Sequence, residues 1–181
     1  SSDIGIYGLS TRAINLALNF AAKGLSVSVG HRSSDLVGRA SFVRHLDKEC
    51  THQAEKKDLD EKITGKKDVR DWIDVLMPGK WLFESLSTPR KVILMSKPGT
   101  SAEKNYSKIL SALEVDGIQE YEGQEGDILI DATNEGYEIS LRREKEVAEK
   151  SVRFLTMDIL GTTKELQKGC GFLLSGEREA F

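Results

Sequence analysis

The sequence is poor in cysteine and lacks long apolar runs. Only two cysteines, Cys50 and Cys170, occur among 181 residues, which excludes a disulfide framework and a four-cysteine zinc site. No apolar stretch approaches the roughly 20 residues that span a bilayer. We therefore expect no membrane span and a reducing compartment, either the cytoplasm or an organellar matrix or stroma.

An excess of charge of one sign is also absent. The 26 Lys and Arg residues nearly balance 29 Asp and Glu residues, so no overall field attracts nucleic acid. His45, Cys50 and His52 lie close together, but their spacing fits no familiar zinc site and no fourth ligand follows nearby. The sequence therefore predicts neither a nucleic-acid surface nor a metal site.

What the sequence does contain is an alternation of strand and helix patterns. Residues 3–8 and 25–30 read as strands on either side of a helix at 11–23, and further strands are predicted at 91–96, 127–132 and 152–157. Helical spacing recurs near 102–113 and 140–150. This pattern predicts a single domain over residues 1–181 with a three-layer, Rossmann-type, doubly wound α/β fold and a mainly parallel sheet.

Residues 49–87 fit that alternation less well and are predicted to be an insert. Residues 52–68 are dense in charge, which favours an exposed helix or loop. The aromatic part, from Trp72 to Phe83, reads as two short amphipathic pieces joined at Pro78-Gly79. These pieces form either a docking surface for a protein partner or a flap over the chain's own sheet.

The turn after the first strand has the features of a phosphate-binding turn. Small residues there allow backbone amides and the helix N-terminus to approach a pyrophosphate, although Ser10 places a side chain where that approach is closest. The turn is a variant of the glycine-rich fingerprint. The predicted cofactor contacts in it are Gly8, Leu9, Ser10, Thr11, Arg12 and Ala13.

The residues after the second strand predict which dinucleotide binds. NAD sites place a carboxylate there, whereas NADP sites need a cation for the 2′-phosphate. Here the chain reads His31-Arg32-Ser33, in which Arg32 can pair with phosphate and Ser33 can donate a hydrogen bond. The prediction is NADP rather than NAD. Alternatively, Arg32 is an ordinary surface residue and Ser33 or Ser34 caps the following helix.

Three blocks together resemble one known family. They are residues 3–34, residues 88–99 with Ser96-Lys97-Pro98-Gly99, and residues 126–134 with Asp131-Ala132-Thr133-Asn134. Further matches are Gly136-Tyr137, Arg142-Arg143, residues 144–150 and residues 175–177. In order and spacing they are similar to 6-phosphogluconate dehydrogenase, the decarboxylating oxidoreductase of the pentose phosphate pathway. The resemblance implies that the chain is its NADP-binding domain.

The resemblance also implies roles for individual residues. Arg32 would hold the 2′-phosphate, Ser96 and Lys97 would lie beside the adenosine, and Asn134 would lie beside nicotinamide and substrate. Gly161 is a weaker candidate for substrate contact. The alternatives are that Lys97 is a solvated loop lysine and that Asn134 bonds to its own turn.

Several family features are missing from this chain. Leu160 replaces a serine that hydrogen-bonds the sugar phosphate, and Arg12 replaces a methionine that packs against nicotinamide. The family's general-base lysine and acid glutamate lie in a helical domain beyond the point matching Phe181. We therefore expect no catalysis by this chain alone. It is either part of a divergent enzyme completed by such a domain, or a catalytically degenerate module that serves as a structural or interaction subunit of a larger complex.

Overall fold

The computed structural model describes residues 1–31, 36–54, 69–76, 80–116, 126–150 and 152–181. The strands are β1 Ile4–Tyr7, β2 Val27–Gly30, β3 Ile73–Leu76, β4 Lys91–Leu94, β5 Ile128–Asp131, β6 Arg153–Leu160 and β7 Gly171–Gly176. The α-helices are α1 Thr11–Ala22, α2 Leu36–Ala54, α3 Lys80–Ser85, α4 Thr100–Asp116, α5 Tyr137–Ala148 and α6 Thr163–Lys168. Short 3₁₀ turns occupy Val69–Trp72 and Arg178–Ala180.

These strands form one sheet in the order β3-β2-β1-β4-β5-β6-β7. The first six strands in that order run parallel, and β7 pairs antiparallel to β6. The predicted Rossmann-type, doubly wound fold is confirmed. The strand order reverses between β1 and β4, so a crevice opens between their carboxyl ends, which is where ligands bind in such sheets.

Apolar side chains on both faces of the sheet form the core. Successive residues of a strand point to opposite faces, and Ile6 and Tyr7 of β1 accordingly belong to two different apolar clusters. The cluster with Ile6 includes buried residues of α1 and α2, and the cluster with Tyr7 includes buried residues of α3 and α4. This arrangement produces the three layers.

Helix α1 is also buried along its polar side. The amide nitrogens of Asn15 and Asn19 donate to the backbone oxygens of Thr163 and Leu166, each at 2.6 Å. Both asparagines are at least 95% buried, and their hydrogen bonds fix α6 against α1. These bonds give the buried amide nitrogens the partners that water would otherwise supply.

The structure corrects the predicted insert at about 49–87 in its last part. Residues 73–76 form β3, which pairs in parallel with β2, and α3 places Leu82 and Phe83 in the core. The apolar positions of this segment therefore belong to the sheet and its helix layer. Trp72 also packs against the core, whereas Trp81 is 48% exposed. The charged residues 55–68 lie outside the described residues.

Gly8 occupies a position with no room for a side chain. The backbone just after β4 lies so close to Gly8 that a Cβ atom on Gly8 would overlap the carbonyl oxygen of Met95. The Met95 amide donates to the Tyr7 carbonyl at 3.0 Å, so the two strand ends are joined at this point. Glycine at this position lets the strand ends beside the crevice approach each other.

We expect Gly8→Ala to lower the free energy of unfolding by about 3 kcal/mol or more, because the end of β4 must shift. Urea unfolding followed by circular dichroism measures the loss. Gly24→Ala is the matched control. Gly24 also has a positive φ of 86°, but a Cβ there would meet nothing within 4 Å. It should cost about 1–2 kcal/mol. An equal loss in both variants would contradict the steric explanation.

Candidate functional site

A cavity of about 730 Å³ opens at the carboxyl ends of β1, β4, β5 and β6. It lies where the strand order reverses, the usual place for a ligand in a doubly wound sheet. The polar residues that line it in the described part of the chain are Ser10, Thr11, Arg12, Ser96, Lys97, Thr133, Asn134, Asp158 and Thr163. Apolar lining residues include Met157, Ile159, Leu160 and Leu173.

The start of α1 supplies the anion-binding character of this cavity. Ser10 is the N-cap residue, and its Oγ accepts a hydrogen bond from the Ala13 amide at 3.2 Å. The Ser10 side chain thus binds to its own helix. The first amides of a helix have no partner within it, and the first turn of α1 contains no acid. This end of the helix dipole therefore favours a phosphate.

Helices α4, α5 and α6 differ from α1 in this respect, whereas the first turns of α2 and α3 also contain no acid. The first turns of α4, α5 and α6 contain Glu103, Glu138 and Glu165 respectively. Each of those N-termini already has a carboxylate close to its positive end. Thr11 and Arg12 of α1 and Thr163 of α6 line the cavity, and of these two helices it is α1 whose first turn contains no acid.

Charged side chains around the cavity favour an anion as well. Arg12 reaches it from the first turn of α1, and Lys97 reaches it from the turn after β4. Asp158 is the single acid among the described residues that line it. Two cations against one acid give this cavity a local positive balance although the chain as a whole is slightly acidic.

The structure brings many of the predicted site residues together and separates others. Six of them line the cavity: Ser10, Thr11, Arg12, Ser96, Lys97 and Asn134. Gly8 lies in the turn beneath it, while Leu9 and Ala13 pack in or against the core. His31 follows β2 with its ring 6.0 Å from the ring of Tyr7. Gly161 is not among the lining residues and lies against Cys170 and Glu165 instead.

Arg32 and Ser33 lie outside the described residues. Their predicted contact with a 2′-phosphate therefore remains a prediction from the sequence. The described strand β2 ends at Gly30, two positions before Arg32.

Sequence reasoning did not identify the buried centre behind the cavity. Arg143 of α5 is fully buried, and its Nη1 donates to Asp131 Oδ2 at 2.7 Å and to Thr133 Oγ1 at 3.3 Å. Its Nη2 donates to Glu103 Oε2 at 2.9 Å. Glu135 Oε2 lies 2.7 Å from the same nitrogen, and we regard this contact as an ion pair because it is not aligned as a hydrogen bond. The Arg142-Arg143 match was its only signal in the sequence.

This cluster also connects the two turns that line the cavity. Glu135 Oε1 accepts from the Gly99 amide at 2.6 Å, so the turn after β5 is bound to the turn after β4. Beside it, the Asn105 amide nitrogen donates to Ser96 Oγ at 2.6 Å. The positions of Ser96 and Lys97 relative to Asn134 therefore depend on these polar contacts.

The cluster shifts the protonation equilibria of its members. The Glu103 carboxylate accepts two hydrogen bonds from Arg142, at 3.0 and 2.7 Å, and one from Arg143, which lower its pKa to about 2. Burial opposes the charge on Arg143, but hydrogen bonds to Glu103 and Asp131 outweigh burial and raise its pKa. Burial and the nearby Glu146 carboxylate raise the pKa of the Tyr106 phenol.

We expect Glu103 to contribute to acid sensitivity. Its folded-state pKa of about 2 lies below the ordinary value of 4.5, so its contribution to stability is complete above pH 4.5 and is lost as the pH falls toward about 2. Glu103→Gln should lose less stability than the wild type over that range in urea unfolding. Because the Glu103 side chain is 41% exposed, salt should reduce the difference. Glu138→Gln is the control, and equal slopes for all three proteins would contradict this assignment.

The fold and the cavity define a class of protein. A doubly wound sheet, an acid-free helix start at the reversal point and a cationic cavity beside it are the features of a Rossmann-type nucleotide-binding domain. A family model described as the NAD binding domain of 6-phosphogluconate dehydrogenase matches residues 3–181. The chain belongs to this family, and the resemblance inferred from its motifs is confirmed.

Curated relatives and solved structures agree with that assignment. The NADP(+)-dependent, decarboxylating 6-phosphogluconate dehydrogenase of Bacillus subtilis is 32% identical over 177 residues, which cover 98% of this chain and 30% of the relative. The Staphylococcus aureus N315 enzyme is 28% identical over 181 residues, covering 100% of this chain and 31% of the relative. This chain therefore spans about 30% of the length of these relatives.

Among solved structures, Plasmodium falciparum 6-phosphogluconate dehydrogenase has a TM-score of 0.70 and 29% identity. The match covers 98% of this chain and 31% of that one. Mycobacterium tuberculosis 3-hydroxyisobutyrate dehydrogenase has a TM-score of 0.66 at 12% identity, covering 99% of this chain and 48% of that one, and supports the fold alone.

None of the helices in the described part of the chain has the length and apolar character that a membrane span requires.

Proposed function

We propose that this chain binds NADP, in preference to NAD, as the cofactor domain of a 6-phosphogluconate dehydrogenase-like protein. The observation that carries the proposal is the acid-free start of α1, which faces a cavity lined by Arg12 and Lys97. Amides, hydroxyls and cations are the donors that a pyrophosphate needs. The residues present therefore fit the cofactor, which would supply a hydride acceptor when bound.

The preference for NADP rests on the residues after β2. No carboxylate follows Gly30 before Asp35, so a ribose 2′-hydroxyl would lack the acceptor that NAD-binding sites provide. Arg32 offers a guanidinium for a 2′-phosphate, and His31 and Ser33 flank it in the sequence. The Bacillus subtilis relative is itself described as NADP(+)-dependent.

We further propose that this chain does not catalyse the reaction by itself. Leu160 and Leu173, 60% and 57% exposed, line the same cavity as Asn134, and their side chains have no hydrogen-bond donor for a sugar phosphate. A missing general acid or base typically costs a factor of about 10²–10⁴ in rate. Completion by a helical domain and conversion to a non-catalytic subunit are both compatible with these features. In the second case the exposed Trp81 would contact a protein partner.

Calorimetry should show that NADPH binds more tightly than NADH and that 2′-phospho-AMP also binds. Arg32→Ala should weaken the binding of NADPH and 2′-phospho-AMP by about tenfold or more, because a charge-assisted hydrogen bond contributes about 1.5–3 kcal/mol. The affinity for NADH should be almost unaffected. These differences isolate the 2′-phosphate contact.

Lys23→Ala is the matched control for Arg32→Ala. Lys23 is the C-cap residue of α1, so this variant removes one cation at the end of that helix away from the cavity. It should leave all three affinities unchanged. Failure of the wild type to bind any of the three ligands would refute the cofactor proposal. An equal effect of Arg32→Ala on NADPH and NADH would refute the role of Arg32.

We expect no reduction of NADP when 6-phosphogluconate is added to this chain alone. Absorbance at the NADPH wavelength measures the reaction, with an intact 6-phosphogluconate dehydrogenase as the positive control. The same assay on the longest native chain that contains this domain separates the two alternatives. Activity there would favour a divergent enzyme, whereas inactivity with retained NADPH binding would favour a non-catalytic subunit.

A further inference from the structure

Asn134 has an unusual backbone conformation at the edge of the cavity. Among the described residues it is the one non-glycine residue with a positive φ, at 57°. This left-handed region costs most residues about 1–2 kcal/mol, although asparagine tolerates it better than most. Asn134 is exposed and lines the cavity together with Thr133 and Lys97. The contacts of its neighbours explain how this conformation is held.

Both chain neighbours of Asn134 contact the same guanidinium. Thr133 Oγ1 lies 3.3 Å from Arg143 Nη1, and Glu135 Oε2 lies 2.7 Å from Arg143 Nη2. Thr133 is fixed further, because its amide and hydroxyl donate to Asp131 Oδ1 at 2.9 and 2.6 Å. Arg143 therefore contacts a side chain on each side of Asn134.

Arg143 itself has little freedom to move. It is fully buried, it donates to Asp131 and Glu103, and its guanidinium carbon lies 4.8 Å from the centre of the Tyr106 ring. Glu135 is fixed at its other oxygen by the Gly99 amide. The contacts that connect Arg143 with Thr133 and Glu135, the two neighbours of Asn134, are thus short and join groups that are already fixed in place.

We propose that Arg143, acting through Thr133 and Glu135, is the positioning residue that holds Asn134 in the left-handed conformation required to bind the nicotinamide half of the dinucleotide. The inference rests on the proposed cofactor binding. An asparagine side chain can donate to and accept from a carboxamide such as that of nicotinamide. Arg143 does not contact the cavity, and it contributes by fixing the group that does.

The first test compares two ligands. NADPH contains nicotinamide, whereas 2′-phospho-AMP lacks it. Glu135→Gln keeps an oxygen that can accept a hydrogen bond from the Gly99 amide but places an uncharged amide against Arg143. Arg143→Lys replaces the planar guanidinium, whose two terminal nitrogens bind different partners, with a single ammonium group. Each variant should weaken NADPH binding by about tenfold, since small displacements of a binding group can cost up to about 100-fold. The affinity for 2′-phospho-AMP should change less than about twofold, within the usual error of such comparisons.

Glu138→Gln is the control because Glu138 is an exposed acid in the first turn of α5. It should leave both affinities unchanged. A role of Arg143 in general stability alone would weaken both ligands together and lower the Tm in proportion. Equal weakening of both ligands by Glu135→Gln would therefore overturn the proposal.

A double-mutant cycle tests the route through Asn134. Asn134→Gly retains the backbone conformation without strain but removes the amide. It should weaken NADPH by about as much as Glu135→Gln, and adding Glu135→Gln to it should cause less than about a twofold further loss. Additive losses would mean that Glu135 acts independently of Asn134, which would overturn the proposal.

A final readout needs no ligand and separates this inference from the proposed function. Nuclear magnetic resonance of the Asn134 backbone, through its Cα shift and its amide–Hα coupling, reports the sign of φ. The left-handed signature should be present in the wild type and be averaged out in Glu135→Gln and Arg143→Lys. Retention of the signature in both variants would overturn the inference. Absence of NADPH binding by the wild type would refute the proposed function but leave this result interpretable.

Discussion

The arrangement of the cavity depends on the burial of one positive charge. Removing a guanidinium from water costs several kcal/mol unless carboxylates surround it with good geometry. Three carboxylates surround Arg143: Asp131 at the end of β5 and Glu103 in α4 accept its hydrogen bonds, and Glu135 in the turn after β5 forms an ion pair with it. These elements must be in place together for the charge to be satisfied, so the cluster favours a single arrangement of the turns around the cavity.

Local patterns account for the parts of the fold that the sequence predicted well. The opening strands and helix follow one another within thirty residues, and the later strands have short apolar runs with clear boundaries. β3 was missed because a four-residue edge strand has little periodicity of its own. It is defined by pairing with β2, more than forty residues earlier, and that pairing is not visible in a local window.

The candidate site also contains residues that local sequence patterns could predict and one, Arg143, that they could not. The glycine turn, Arg12, Lys97 and Asn134 could be predicted because they follow strands directly, and the carboxyl ends of parallel strands meet at one edge. The role of Arg143 could not, because its partners lie 8 to 40 residues away and contact it only after α4 and α5 have packed. Hydrophobic patterning also gives no reason to bury an arginine completely.

The carboxylate of Glu135 has a second consequence through its bond to the Gly99 amide at the beginning of α4. With Glu103 in the first turn, it serves that helix as a permanent internal counter-ion. A phosphodiester entering the crevice between β1 and β4 therefore meets one helix start that is compensated and one, that of α1, that is not. This electrostatic asymmetry favours one orientation of an elongated ligand in the crevice, with its most negative part on the α1 side.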